Sequence, residues 1–284
     1  MSETATKKEN PVFGRKIFFI TPPPNVFPFV TNKLRELEYE VYVIPNWRFA
    51  REVLKKNPNS ICFINIDEQS MSSKGWLSYI KSINEDEDEN LKSTIMGVLS
   101  SRSRRTEREL FLSKVTLDAG YIVTSVGNSE LVNSIQGVLD VNGAKGRRQY
   151  VRANTSKNPT AQIICEVNEN VLTMQLLDIS TVGFACGVSN KEANCFVKNA
   201  LLKNFTLRLE KRQILSSAVV FAIKPGETFT TLVLLFLPNQ LPQNKIAIQE
   251  FIAKTLEQST LGDISKNFAE DRMDYESLYN EDKA

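Results

Sequence analysis

Five short, almost wholly apolar runs punctuate the first half of the chain: Ile17–Ile20, Val41–Ile44, Ile61–Ile66 (broken at Asn65), Ile95–Leu99 and Tyr121–Val123. Between them, apolar residues recur at helical spacing. Phe29, Val30, Leu34 and Leu37 form one such set, and Trp47, Ala50, Val53 and Leu54 a second. Further sets are Trp76, Tyr79, Ile80 and Ile83; Leu110, Phe111 and Leu117; and Leu131, Ile135 and Leu139. A strand that is apolar on every residue has to be covered on both faces, and amphipathic helices between such strands are the usual cover. The pattern therefore predicts a parallel sheet sandwiched by helices over residues 14–141, after a polar tail at 1–13.

Near residue 142 the pattern changes. Asn142-Gly143-Ala144-Lys145-Gly146 reads as a flexible joint, and Arg147-Arg148-Gln149-Tyr150-Val151-Arg152 follows it, so that 142–152 is an arginine-bearing linker. Beyond it, short alternating segments are expected as strands at 161–167, 171–178, 184–188, 205–209, 214–223 and 230–236. Turn signals such as Asn168-Glu169-Asn170 and Lys224-Pro225-Gly226 separate them. Alternation with frequent turns indicates a small antiparallel barrel over 153–257. Ile246, Ile248, Phe251, Ile252 and Leu256 have the spacing of a helix lying on it. Residues 258–284 read as an acidic tail, in which Met273, Tyr275, Leu278 and Tyr279 could form a docking helix.

Several chemistries are excluded at once. The 284 residues contain no histidine, which removes Cys/His zinc fingers, histidine general bases and Ser-His-Asp triads. Cys62, Cys165, Cys186 and Cys195 form no C-x-x-C pair and read as small apolar residues in strands. No apolar run approaches the roughly 20 residues needed to span a bilayer. With no secretory signal, a reducing cytoplasm is the expected setting. A formal net charge of +2 carries no chain-wide nucleic-acid signature. No constellation of nucleophile and base or of metal ligands appears, so binding is expected rather than catalysis.

In the first half, the order of elements resembles the receiver domains of two-component signalling. A phosphorylatable receiver needs acidic residues after its first strand to hold Mg²⁺ beside the phosphoryl group. Thr21-Pro22-Pro23-Pro24-Asn25 offers none. Asp67 stands where the acceptor would be expected, but Thr124-Ser125-Val126-Gly127 supplies no lysine after the fifth strand. The reading is a pseudo-receiver with Asp67 as an ordinary surface aspartate. Glu85-Asp86-Glu87-Asp88-Glu89 reads as a solvated loop. Arg102, Arg104, Arg105 and Arg108 read as an exposed helix entry, the alternative being a partner or phosphate surface.

The informative pattern lies in the second half. Arg148-x-x-x-Arg152 precedes the barrel, and Asp178-x-Ser180-x-x-Gly183 follows a later strand. Taken singly, each is common in basic linkers and turns; together, in this order and on this strand pattern, they resemble the paired signature of PilZ domains over residues 146–257. The resemblance implies a receptor for cyclic di-GMP, with no other cofactor, and Arg147 ahead of the motif implies a stacked ligand dimer. The chemistry suits the ligand. Arginine offers a planar fork for phosphate or guanine O6/N7 and a face that stacks on bases. The Asp178 carboxylate complements the donors of a guanine edge. Ser180 would give a hydroxyl to phosphate or base, and Gly183 a tight turn with close ligand approach. The function expected is a messenger-binding effector that alters domain arrangement or the binding of an unidentified downstream protein. The alternatives are a nucleic-acid-binding regulator using the basic linker, and a phosphorelay receiver with a regulatory barrel.

Overall fold

The computed structural model describes residues 13–24, 26–102 and 105–267. The chain divides into two compact units, the second being Tyr150–Ser259. In the first unit, strands β1 (Ile17–Ile20), β2 (Val41–Ile44), β3 (Ile61–Asn65), β4 (Ile95–Ser100) and β5 (Gly120–Val123) pair in the order β2-β1-β3-β4-β5. All four pairings are parallel. This is the receiver-like α/β arrangement that the continuous apolar runs predict.

Alternation along each strand sends successive side chains to opposite faces. Ile17, Phe19, Ile61 and Phe63 meet Phe27, Val30 and Leu34 of α1 (Phe27–Glu36) and Leu131, Ile135 and Leu139 of α6 (Asn128–Val141). Phe18, Ile20, Cys62 and Ile64 leave from the other face and are also fully buried. The remaining helices are α2 (Ala50–Lys56), α3 (Ser73–Asn84), α4 (Glu89–Lys92) and α5 (Arg105–Lys114). Trp76 and Tyr79 of α3 meet Trp47 edge to face.

The acidic run is more than a solvated loop. Asp86 pairs with Arg51, and its side chain is only 9% exposed. The Asp88 carboxylate accepts the Asn90 N–H at 2.9 Å and so caps α4. Charges that repel one another in the sequence are here separated onto a cation and a helix end.

The second unit opens with the short β6 (Ala153–Asn154). Strands β7 (Ala161–Val167), β8 (Asn170–Ile179), β9 (Gly183–Val188), β10 (Leu201–Leu209), β11 (Arg212–Lys224) and β12 (Thr230–Phe236) follow it. They pair antiparallel in the order β8-β7-β10-β11-β12-β9, and β9 returns to β8, closing a six-stranded barrel. The hairpin between β7 and β8 turns on Asn168 and Glu169, both with positive φ (51° and 62°), the twist that a two-residue hairpin requires. Phe184, Phe205 and Phe236 cluster inside with Ile163, Leu207 and Leu234. Helix α7 (Pro242–Asn267) lays Ile248, Phe251 and Ile252 against this core.

Three expectations change. The helix does not stop at 257 but continues to Asn267, because no proline interrupts it and extension adds a hydrogen bond for each residue. Cys62, Cys165 and Cys186 are buried thiols in strands, whereas Cys195 is exposed in a short turn of 3-10 helix at Glu192–Cys195. The glycine-rich joint is fastened at its start: Gly14 N–H donates to Gly143 O at 3.0 Å, and a Cβ on Gly14 would lie 3.1 Å from Gly146 Cα. The proposed tail helix around Met273 to Tyr279 lies outside the described residues, as do residues 1–12. No helix among the described residues is long and apolar enough to cross a membrane.

Candidate ligand-binding site

The two halves of the arginine–aspartate motif meet on the barrel surface through one strand pairing. Val151 packs on the barrel core and Ala153 is fully buried, so alternation directs Arg152 outward. β6 then pairs with the end of β8, Ala153 opposite Ile179 and Asn154 opposite Asp178. Thr155 locks the register: its N–H donates to Leu177 O and its hydroxyl to Leu176 O, both at 2.8 Å. The Gln175 side-chain amide secures the following loop through Asn158 O at 2.8 Å. Thr155 and Gln175 are positioning residues that no motif announces. Thr155 gives one sequence signal, a polar residue where alternation from Ala153 would place a core side chain; Gln175, between buried Met174 and Leu176, gives none.

Strict alternation from Met174 and Leu176, both buried, would point Asp178 into the core. It does not go there. The pairing of β8 with β9 slips between Leu176 and Asp178, making Leu177 an extra residue. Such a bulge reverses the direction of every side chain beyond it. Asp178 therefore faces out beside Arg152 (Nη1 to Oδ1, 3.8 Å), and Ile179 returns to the core. The two side chains are 47% and 36% exposed. A pair so open contributes at most about 1 kcal/mol, so its groups can be redirected to a ligand at little cost.

Ser180 and Gly183 shape the turn that follows β8. Ser180 is 2% exposed, and its hydroxyl and its N–H both donate to Gly183 O, at 3.0 and 2.8 Å. The serine closes the β8–β9 turn. A Cβ on Gly183 would lie 2.4 Å from Leu234 O on β12. The close approach that demands glycine is thus between strands of the barrel. Arg147 and Arg148 are exposed in the irregular segment before β6. Of the six expected residues, the barrel brings Arg152 and Asp178 into one exposed pair, and Ser180 and Gly183 shape the turn behind it.

In the first unit, Asp67 is engaged and half-buried. Its carboxylate accepts the Ser100 hydroxyl at 2.7 Å and the Ser101 N–H, with Arg102 Nε at 3.6 Å. Burial pushes this carboxyl up, but the hydrogen bonds from Ser101 and Ser100 and the Arg102 charge outweigh it, leaving it below the ordinary carboxylate value. Asp67 is a tie between the ends of β3 and β4, not a plain surface residue. Arg102 also reaches Glu107 at 3.3 Å, and Arg105 reaches Glu109 at 2.6 Å. That local neutralisation weakens the case for Arg102 to Arg108 as a nucleic-acid surface; Arg104 lies outside the described residues.

No family profile matches the chain, and no curated protein does. Among solved structures, the PilZ domain of YcgR from Escherichia coli, solved with c-di-GMP, is 17% identical. That match covers 43% of this chain and 99% of that one, at a TM-score of 0.37. MrkH of K. pneumonia, in complex with c-di-GMP, is 18% identical over 40% of this chain at a TM-score of 0.36. Only 53% of its own chain is covered, about half of its length. Chemotaxis protein CheY4 of Vibrio cholerae is 16% identical over 44% of this chain and 98% of its own, at a TM-score of 0.36. At these identities and scores, the functional assignment rests on the residues of this chain.

Proposed function

We propose that the chain is a cyclic di-GMP-binding effector that grips its ligand between the lead-in arginines Arg148 and Arg152 and the barrel-surface carboxylate of Asp178. The observation that carries this reading is the β6–β8 pairing. It sets Arg152 3.8 Å from Asp178, two residues remote in sequence, on an exposed patch of barrel. A cation and a carboxylate side by side match a ligand that presents phosphate and a guanine edge side by side. Arginine takes phosphate oxygens or guanine O6/N7, while the carboxylate takes the N1–H and the exocyclic amine. Arg148 supplies a second cation from the lead-in, and Arg147 a further one that suits a second, stacked ligand molecule.

Drawing Arg148 and Arg152 onto a ligand would order the lead-in that joins the two units, and so alter their arrangement or the binding of a downstream protein. Such coupling requires that ligand affinity differ between the two arrangements. The expected setting is the cytoplasm, and the role is binding without a chemical step. Calorimetric titration of the whole chain with cyclic di-GMP tests the reading. Saturable binding is expected, with two ligands per chain and with cyclic di-AMP binding poorly. Failure of cyclic di-GMP to bind would overturn it.

A further inference from the structure

We propose that the first unit carries a small-molecule site of its own, which takes a purine nucleoside monophosphate. A cavity of about 790 Å³ lies at the C-terminal ends of β1, β2 and β3, lined wholly by residues between Thr21 and Ser70. In a parallel sheet ordered β2-β1-β3-β4-β5, that end, beside the strands where chain order reverses, is where ligands bind. The volume lies within the range of small-molecule sites.

The cavity is equipped as well as placed. Pro22, Phe27, Pro45 and Trp47 give it apolar and aromatic walls. The Trp47 ring is pinned: its Nε1–H donates to Ser70 Oγ at 2.9 Å, and Tyr79 OH donates to Trp47 O at 3.1 Å. Two other lining residues, Thr21 and Glu68, each hold a buried oxygen (Oγ1 and Oε2) with no hydrogen-bond partner among the described residues. The Thr21 backbone is strained too, with φ at +44° in a β-branched residue. Its N–H is held on Ile44 O and its carbonyl by the Asn65 amide, both at 2.8 Å. Strain maintained by its surroundings is a mark of sites. On the cavity wall, the Arg48 guanidinium lies 4.7 Å from the Trp47 ring centre.

These groups specify the ligand by complement. The Glu68 carboxylate, as a lining residue, asks for N–H donors, the apolar walls for a flat ring, and Arg48 for an anion. A guanine nucleotide meets all three, since N1–H and the exocyclic amine both donate and the phosphate reaches the arginine. Adenine offers the carboxylate fewer donors and should bind less well.

Titration of the full chain with 5′-GMP, 5′-AMP and guanosine tests this, followed by calorimetry and tryptophan fluorescence. An Arg148→Ala, Arg152→Ala background keeps the outcome separate from that of the barrel site. One GMP per chain is expected, binding more tightly than AMP. Glu68→Gln and Arg48→Ala should each weaken GMP by about tenfold or more. Guanosine should bind more weakly than GMP in the background protein and be indifferent to Arg48→Ala. Absence of GMP binding at millimolar concentration would overturn the proposal. So would GMP binding unchanged in both variants while their melting temperatures match the background.

Discussion

Replacing Arg152 by alanine separates a binding residue from a structural one. Its chain neighbours Val151 and Ala153, which pack on the barrel core, are untouched by the change. Its ion pair with Asp178, at 3.8 Å, joins side chains 47% and 36% exposed. An open pair of this kind is worth at most about 1 kcal/mol. For a unit of this size, that corresponds to no more than about 4–8 °C in melting temperature without ligand. The ligand contact is worth more. A charge-assisted hydrogen bond in a partly desolvated site contributes on the order of 1.5–3 kcal/mol. Cyclic di-GMP affinity should therefore fall by about tenfold to more than a hundredfold. Arg152→Lys should recover little, because the ammonium keeps the charge but loses the planar fork and stacking face. The assay is calorimetry at fixed salt beside a thermal melt of each variant. Parental affinity in the Arg148→Ala, Arg152→Ala double variant would refute the site. A loss of stability equal to the loss of binding would make Arg152 structural.

Other expectations follow from neighbouring geometry. Gly183→Ala should destabilise the barrel by about 1–3 kcal/mol or more, since its Cβ would meet Leu234 O at 2.4 Å; denaturant unfolding checks this. Asp67 has a lowered folded-state value, so its contribution to stability is present above the ordinary carboxylate pKa of about 3.9 and is lost as pH falls through the lower folded one. Melting curves from neutral to strongly acidic pH should show Asp67→Asn less stable than the parent at neutrality, with the gap closing in acid. Asp67 should also take no phosphoryl group from acetyl phosphate, and an acyl phosphate seen by mass spectrometry would contradict this. Arg147→Ala should lower the number of cyclic di-GMP molecules bound per chain more than it lowers the affinity of the first, as read by the calorimetric stoichiometry.

Much of this was legible in the residues. Continuous apolar runs such as Ile17–Ile20, short, rich in β-branched and aromatic residues and closed by prolines, read as strands covered on both faces, and the alternation from Ala161 to Val167 as a strand covered on one. β6 was not legible, because two residues are too few to show a period. Nor was α4, whose capping aspartate sits within an acidic run.

The sequence by itself determined which residue types the candidate site holds and in what order: arginines before the barrel, then aspartate, serine and glycine after a strand. Only the tertiary structure decided which of them face outward. Periodicity from Met174 and Leu176 would bury Asp178; the slipped pairing at Leu177 turns it out beside Arg152. The same folding turns Ser180 inward onto Gly183 O and spends the missing Cβ of Gly183 on the approach of β12. Side-chain direction past a bulge depends on hydrogen bonds to another strand, and that strand's register is set by packing far along the chain, beyond the reach of any local pattern.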